Sequence, residues 1–169
     1  MVAHGLITGM LFFLAGSVKD RFHTLEIRRL GGLLIQAPKM GWILGFCVMA
    51  SLGLPGLAGF WGEFPAILSA YNPAPALSEE LFRIYMVIAA VGTVFAAGYL
   101  LWLYQRTSFG VPTEEFAEED VDDVHVTEWI AWLPMLIPIL VLGIFPNLIF
   151  QVTDPVVTSM GETFQALGK

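Results

Sequence analysis

Residues 50–64 read ASLGLPGLAGFWGEF, and how this stretch folds decides the architecture of the chain. It lies inside an apolar segment from Met40 to Tyr71. A regular helix of that length would be roughly 48 Å long, well beyond the ~30 Å hydrocarbon core of a bilayer. Gly53, Pro55, Gly56 and Gly59 supply the means of shortening it. Pro55 cannot donate to the helix ladder and clashes with the turn before it. A discontinuous helix is expected, which lipid tolerates only where the freed backbone groups face protein or a watery cavity. Just past the break stands Glu63, the one charged residue between Gly41 and Ser78. An ionisable group at that depth in an apolar segment is costly and marks a candidate functional site.

Composition places the whole chain in the same setting. Of its 169 residues, 56% are hydrophobic and only 14% are charged, against roughly 25% charged in soluble globular proteins. Thirteen phenylalanines and five tryptophans are difficult to hide in a soluble core of this size. Charge is segregated into short stretches between long apolar ones, the pattern of a polytopic membrane protein. A net charge of −7 argues against a nucleic-acid partner, which calls for basic patches. Cys47 is the single cysteine, set among Phe46, Val48 and Met49; it reads as a small buried hydrophobe and offers no disulfide or metal-cluster spacing.

Four spans are expected, at about residues 1–18, 40–71, 81–104 and 129–150, followed by a polar tail over residues 156–169. The first is only about 27 Å long as a helix, so its beginning is expected to be missing. Lys19 and Arg21 follow it instead of preceding it, which is not a signal-peptide pattern. Gly92 and Gly98 in the third span are expected to let another helix approach closely. Pro134, Pro138 and Pro146 predict a bent fourth span. The fold class is therefore all-α, with four transmembrane helices of which the second is discontinuous.

Lys19, Arg21, Arg28, Arg29 and Lys39 put five of the eight basic residues in the first loop, which the positive-inside rule assigns to the cytoplasm. The connector from Thr113 to Glu128, on the same side, holds eight acidic residues and no lysine or arginine. Acidic residues contribute little to topology, and the connector reads either as a hydrated link or as a docking surface. Arg83 and Arg106 end the third span and read as snorkelling anchors. Tyr85, Tyr99, Trp102, Tyr104, Trp129 and Trp132 fit an aromatic belt.

Two groups are candidates for proton transfer. Glu63 either serves as a proton site or caps the helix that restarts after the break, where the helix dipole favours negative charge. Desolvation favours a neutral carboxyl and a nearby lysine an ionised one, and a group balanced between them exchanges protons as its surroundings change. No lysine partner lies within these spans. Ordered water or polar partners are expected beside Glu63. His4, inside the first span, suits a proton relay, its alternative being a packing hydrogen bond across helices; Thr8 stands one turn on. His23 and His125 fall in charged loops and read as surface groups. There is no dinucleotide fingerprint, phosphate loop, cysteine pair or nucleophile triad.

MVAHGLITGMLFFLAGSVKDRFHTLEIRRLGGL (residues 1–33), the central ASLGLPGLAGFWGEF, YLLWLYQRTSFG (99–110) and LPMLIPILVLGIFPNLI (133–149) resemble the antiporter-like subunit M (chain 4) family of bacterial respiratory complex I. The likeness runs from residue 1 to about 155. It implies that this chain corresponds to the last four of about fourteen transmembrane helices in a larger antiporter-like fold. It also implies a position for each candidate. The family's glutamate on the discontinuous twelfth helix falls on Glu63, and its eleventh-helix histidine, in an AHG motif, falls on His4. The family's loop HTR motif reads His23-Thr24-Leu25 here, leucine replacing arginine, which puts a charge interaction at that position in doubt. The family's glutamate–lysine pair and middle lysine have no counterpart in this chain.

The resemblance implies a membrane-arm subunit of NADH:quinone oxidoreductase, multi-pass in the bacterial plasma membrane, that contributes to proton translocation coupled to electron transfer. Glu63 and His4 would carry the proton transfer. No cofactor is expected in this chain; NADH, FMN, iron–sulfur clusters and quinone belong to partner subunits. The expected partners are other complex I membrane subunits, including neighbouring antiporter-like ones, and lipid. The isolated chain is not expected to be active. The alternative is a subunit of a multisubunit cation/proton antiporter or a membrane-bound hydrogenase. A purely structural assembly chain, with Glu63 only capping a helix, is the third reading.

Overall fold

The computed structural model describes residues 1–74 and 77–167, with side chains as far as residue 162. Among the described residues seven helices follow one another: α1 (Val2–Phe22), α2 (Leu33–Gln36), α3 (Pro38–Ser51), α4 (Ala58–Ser69), α5 (Glu79–Ser108), α6 (Val126–Ile144) and α7 (Asn147–Leu167). The protein is all-α and polytopic. Among the described residues three helices, α1, α5 and α6, are each long and apolar enough to cross a membrane.

The apolar segment that opened the sequence reading folds as two helices, α3 and α4. At 14 and 12 residues, they rise about 21 and 18 Å, so neither crosses a bilayer core alone. Between them the chain ends one helix in a defined way. Gly53 adopts φ 67°; its N–H donates to Ala50 O (3.2 Å), and the Leu54 N–H donates to Met49 O (3.4 Å). That double return is a Schellman cap, which glycine enters without the penalty a Cβ would impose. Pro55 follows immediately, where it cannot resume the ladder.

α1 and α5 extend beyond the expected apolar cores, whereas the expected fourth span, 129–150, is divided between α6, which ends at Ile144, and α7, which begins at Asn147. α1 runs on through Lys19, Asp20 and Arg21 and stops at His23, whose φ of 52° closes the helix with a bond to Lys19 O (2.8 Å). α5 starts at Ser78, whose hydroxyl accepts from Leu81 N, with Glu79 and Glu80 in the first turn, where the helix dipole favours negative charge. Pro134 and Pro138 lie inside α6, and the helix breaks at Phe145, just before Pro146. The expected tail, residues 156–169, continues α7 as far as Leu167, and residues 168 and 169 lie outside the described residues.

The core lies where α1 meets α3 and α6. Met10, Leu14, Met40, Cys47, Val48, Trp132 and Ile139 are fully buried there. Trp132 and Tyr104, expected in an aromatic belt, are core residues, because α6 and α5 turn these faces onto their neighbours. By contrast, a Cβ at Gly92 or Gly98 would meet nothing among the described residues. The expected close approach at these glycines is therefore not made by any of the described residues, and most of α5 is exposed.

The acidic connector is bound to the basic loop. Thr113 donates to Arg29 O (2.8 Å), and Gln36 donates to Phe116 O (2.6 Å). Asp123 accepts from the backbone N–H groups of Lys39 and Met40, and Phe116 buries its ring edge-to-face against Phe22. Arg29 pairs with Glu115, and Arg21 grips Glu128 with both guanidinium nitrogens at 2.7 and 2.9 Å while Ser17 donates to the same carboxylate (2.7 Å). A freely hydrated link is thus only part of the account: Glu114, Glu118, Glu119 and Asp120 are exposed, but the backbone between them is anchored.

Candidate functional site

Glu63 is the sixth residue of α4, whose N-cap is Leu57 and whose first turn holds no acid. It therefore does not cap the restarted helix, since dipole and capping effects fall off within the first turn. Helical side chains lean toward the N-terminus of their helix, and this direction carries the Glu63 carboxylate back to the break. Oε2 lies 2.7 Å from where a Cβ on Gly53 would stand, with the Phe60 backbone also against that glycine. Glu63 is half-buried. Gly53 closes the C-terminal end of α3, where the helix dipole is negative, and Phe60, in the first turn of α4 where the dipole is positive, lies against the same glycine. Among the described residues no lysine or arginine pairs with Glu63, and no hydrogen bond reaches its carboxylate.

Three contacts fix the geometry of the break. The backbone of Gly59 sits on the Ala50 carbonyl so closely that a Cβ would collide with it, and Ile7 of α1 packs on the same spot. Gly143 of α6 receives the Gly56 carbonyl and Leu57 Cα in the same manner. The indole Nε1 of Trp61 donates to Gly143 O (2.8 Å). α6 ends at Ile144, so the Gly143 carbonyl is one of the four that have no partner in their own helix. Trp61 supplies that partner and ties α4 to the end of α6.

His4 lies in the first turn of α1, exposed, 3.4 Å from the Thr8 hydroxyl through its Nε2. No hydrogen bond or ion pair joins it to Glu63. Ile7, about one turn on from His4, meets Gly59 and so joins their two helices. His23 and His125 are both exposed, the latter 3.8 Å from Asp122. Among the described residues no group of histidine, cysteine, aspartate and glutamate is spaced to hold a metal ion.

Trp61 and Gly143 escaped the sequence reading. The signal was present in Pro146, which prevents α6 from continuing and leaves carbonyls in need of a donor. Nothing local named Trp61 as that donor, because the two residues are 82 positions apart.

The helices and the break define a class: an all-α polytopic membrane protein in which two short helices meet at a glycine–proline break carrying a single carboxylate. Residues 1–88 match the family described as NADH:quinone oxidoreductase/Mrp antiporter, TM. The NADH-quinone oxidoreductase subunit M of Rhodobacter capsulatus is 33% identical over 98% of this chain and 31% of its own length. An NAD(P)H-quinone oxidoreductase chain 4 of Synechococcus sp. (strain JA-2-3B'a(2-13)) is 37% identical over 91% of this chain and 29% of its own. A chain in the structure of respiratory complex I from Thermus thermophilus with bound NADH superposes with a TM-score of 0.80. It is 32% identical, over 95% of this chain and 32% of that one. The chain belongs to the NADH:quinone oxidoreductase/Mrp antiporter transmembrane family, in its subunit M (chain 4) branch. It spans about a third of the length of the relatives it matches.

Proposed function

We propose that this chain supplies the C-terminal helices of a membrane-arm subunit of NADH:quinone oxidoreductase, in the bacterial plasma membrane, and contributes to proton translocation coupled to electron transfer from NADH to quinone. In this reading α3 and α4 together form one discontinuous span, so that residues 1–155 make four spans of an antiporter-like fold of about fourteen helices. Glu63 takes up and releases the proton, and His4 relays it. The redox chemistry takes place in partner subunits, which hold the flavin, the iron–sulfur clusters and the quinone; other antiporter-like membrane subunits and lipid surround this one.

The observation that carries the reading is the seat of the Glu63 carboxylate on Gly53, at the interruption between α3 and α4. A broken helix at mid-membrane is the usual frame of an ion site, and a carboxylate with no charged partner in the chain is expected to find one on helices that complete the fold. Ile7 against Gly59 links the helix bearing His4 to the same break. The test is Glu63→Gln in the intact complex, with proton pumping followed in membrane vesicles and complex abundance followed in parallel. Lost pumping at normal abundance is expected; undiminished pumping at normal abundance excludes the proton role. The family description also covers Mrp antiporters, so a cation/proton antiporter is the second reading. Co-purification with subunits that carry flavin and iron–sulfur centres separates the two.

A further inference from the structure

Two cavities adjoin at the end of the molecule that carries the basic loop. The first, about 320 Å³, lies between α1, α3 and α5 and is walled by apolar side chains, among them Leu14, Val18, Phe22, Leu44 and Leu103. The second, about 540 Å³, is lined by Arg28, Gln105 and Arg106 together with the turn at Phe109 to Val111. Leu30 and Gly31 line both, so the two cavities are immediate neighbours. The turn is held in place by the Gly32 N–H, which donates to Phe109 O (3.1 Å).

The basic residues at this end divide into two groups. Arg21 is committed to Glu128 and Arg29 to Glu115. Arg28 and Arg106 form no ion pair with any described residue, and Arg106 rests 5.9 Å from the Trp102 ring. Both line the second cavity.

We propose that the two neighbouring cavities together bind one anionic phospholipid, with an acyl chain in the apolar cavity and the phosphate between Arg28 and Arg106. The chemistry of each part selects this occupant. An apolar channel suits a hydrocarbon chain and leaves a phosphate no place. Two guanidinium groups offer planar, forked donors that match phosphate oxygens, and Gln105 adds an amide. The two arginines, which pair with no described residue, select an anionic headgroup over a zwitterionic one. A phospholipid satisfies both cavities, and the site lies on the face where the positive-inside rule puts the anionic leaflet surface. The proposal depends on membrane embedding and not on the proton role of Glu63.

The test uses the intact complex in nanodiscs, with trace phosphatidylglycerol carrying a photoactivatable acyl chain, and phosphatidylcholine with the same chain as control. Cross-links mapped by mass spectrometry should concentrate on Leu44 and Leu103 with phosphatidylglycerol and be scarce with phosphatidylcholine. Removing one arginine by Arg28→Gln or Arg106→Gln should lower the phosphatidylglycerol yield about fivefold. Arg28→Lys and Arg106→Lys, which keep the charge and guard against a folding defect, should retain most of it. Leu103→Trp, which fills the apolar cavity, should remove the cross-links with both arginines intact. Equal labelling by the two lipids, or yields unchanged in the glutamine variants, would overturn the proposal. So would protein side chains occupying the apolar cavity in a density map of the complex.

Discussion

The carboxylate of Glu63 occupies the space that a side chain on Gly53 would need, Oε2 lying 2.7 Å from the position of that missing Cβ. The two residues meet because α3 ends in a left-handed glycine and α4 leans its side chains back toward the break. Gly53→Ala therefore does two things: it places an L-residue in a left-handed conformation, costing about 1–2 kcal/mol, and it displaces the carboxylate. Proton pumping in the intact complex should fall as is expected for Glu63→Gln while the complex still assembles. Full pumping in the alanine variant would show that the carboxylate's seat is immaterial.

Gly59 and Gly143 act differently, because what they face is backbone. A Cβ at either one collides with a carbonyl, Ala50 O for Gly59 and Gly56 O for Gly143. Overpacking of this kind costs about 1–3 kcal/mol or more. Gly59→Val and Gly143→Leu should lower complex abundance in membranes, whereas Gly62→Ala, at a position with open space, should not. Equal abundance for all three variants would contradict this packing.

Trp61→Phe keeps a ring in place but removes the donor to Gly143 O. The lost bond is worth about 1 kcal/mol, so a small fall in thermal stability is expected. Hydrogen exchange at the start of α7, which follows the freed carbonyl, should quicken while exchange in α1 stays unchanged.

The Arg21–Glu128 pair is largely removed from solvent, the two side chains being 11% and 17% exposed. Breaking such a pair from one side costs about 3–5 kcal/mol, because the remaining charge is left without its partner. Arg21→Met and Glu128→Gln should each destabilise strongly. The double variant should recover part of the loss, and a purely additive result in the double-mutant cycle would argue that the pair does not couple α1 to α6.

Acidification should loosen the connector before it affects the helices. The hydrogen bond from Arg29 holds the Glu115 carboxyl below the usual carboxylate range, against a smaller opposing effect of desolvation. A lowered folded-state value means that the tie is in force above the ordinary carboxylate pKa and is lost as pH falls through the lowered one. Protection factors of the backbone amides of residues 113–116, in which the intrinsic pH dependence of exchange is divided out, should then fall as the pH drops below about 4. Glu115→Gln should make those protection factors independent of pH in that range.

Much of the fold was legible because its causes are local. The three helices that, among the described residues, are both long and apolar enough to span a bilayer follow from their apolar runs, and the end of α3 follows from Gly53 and Pro55, which forbid a continuing ladder. The buried state of Cys47 follows from its apolar neighbours. The candidate site was legible only in part. Glu63 was identifiable by its isolation among apolar residues, but capping and proton transfer could not be separated without its place in α4, six residues in from the start. Gly92 and Gly98 show the reverse: small residues announce that a helix can approach, and say nothing of whether one is present in the same chain.

By itself, the sequence determined that the apolar segment breaks at Gly53 and Pro55, which end carries the positive charge, and where a lone carboxylate stands among apolar residues. Those are matters of proline and glycine chemistry, hydrophobic run length and charge placement, all settled within a few residues. Tertiary structure alone decided that Glu63 folds back onto Gly53, that Trp61 completes the end of α6, and that Arg21 closes on Glu128 across 107 positions. Such contacts depend on how whole helices pack, and packing selects among many pairings that local sequence allows equally.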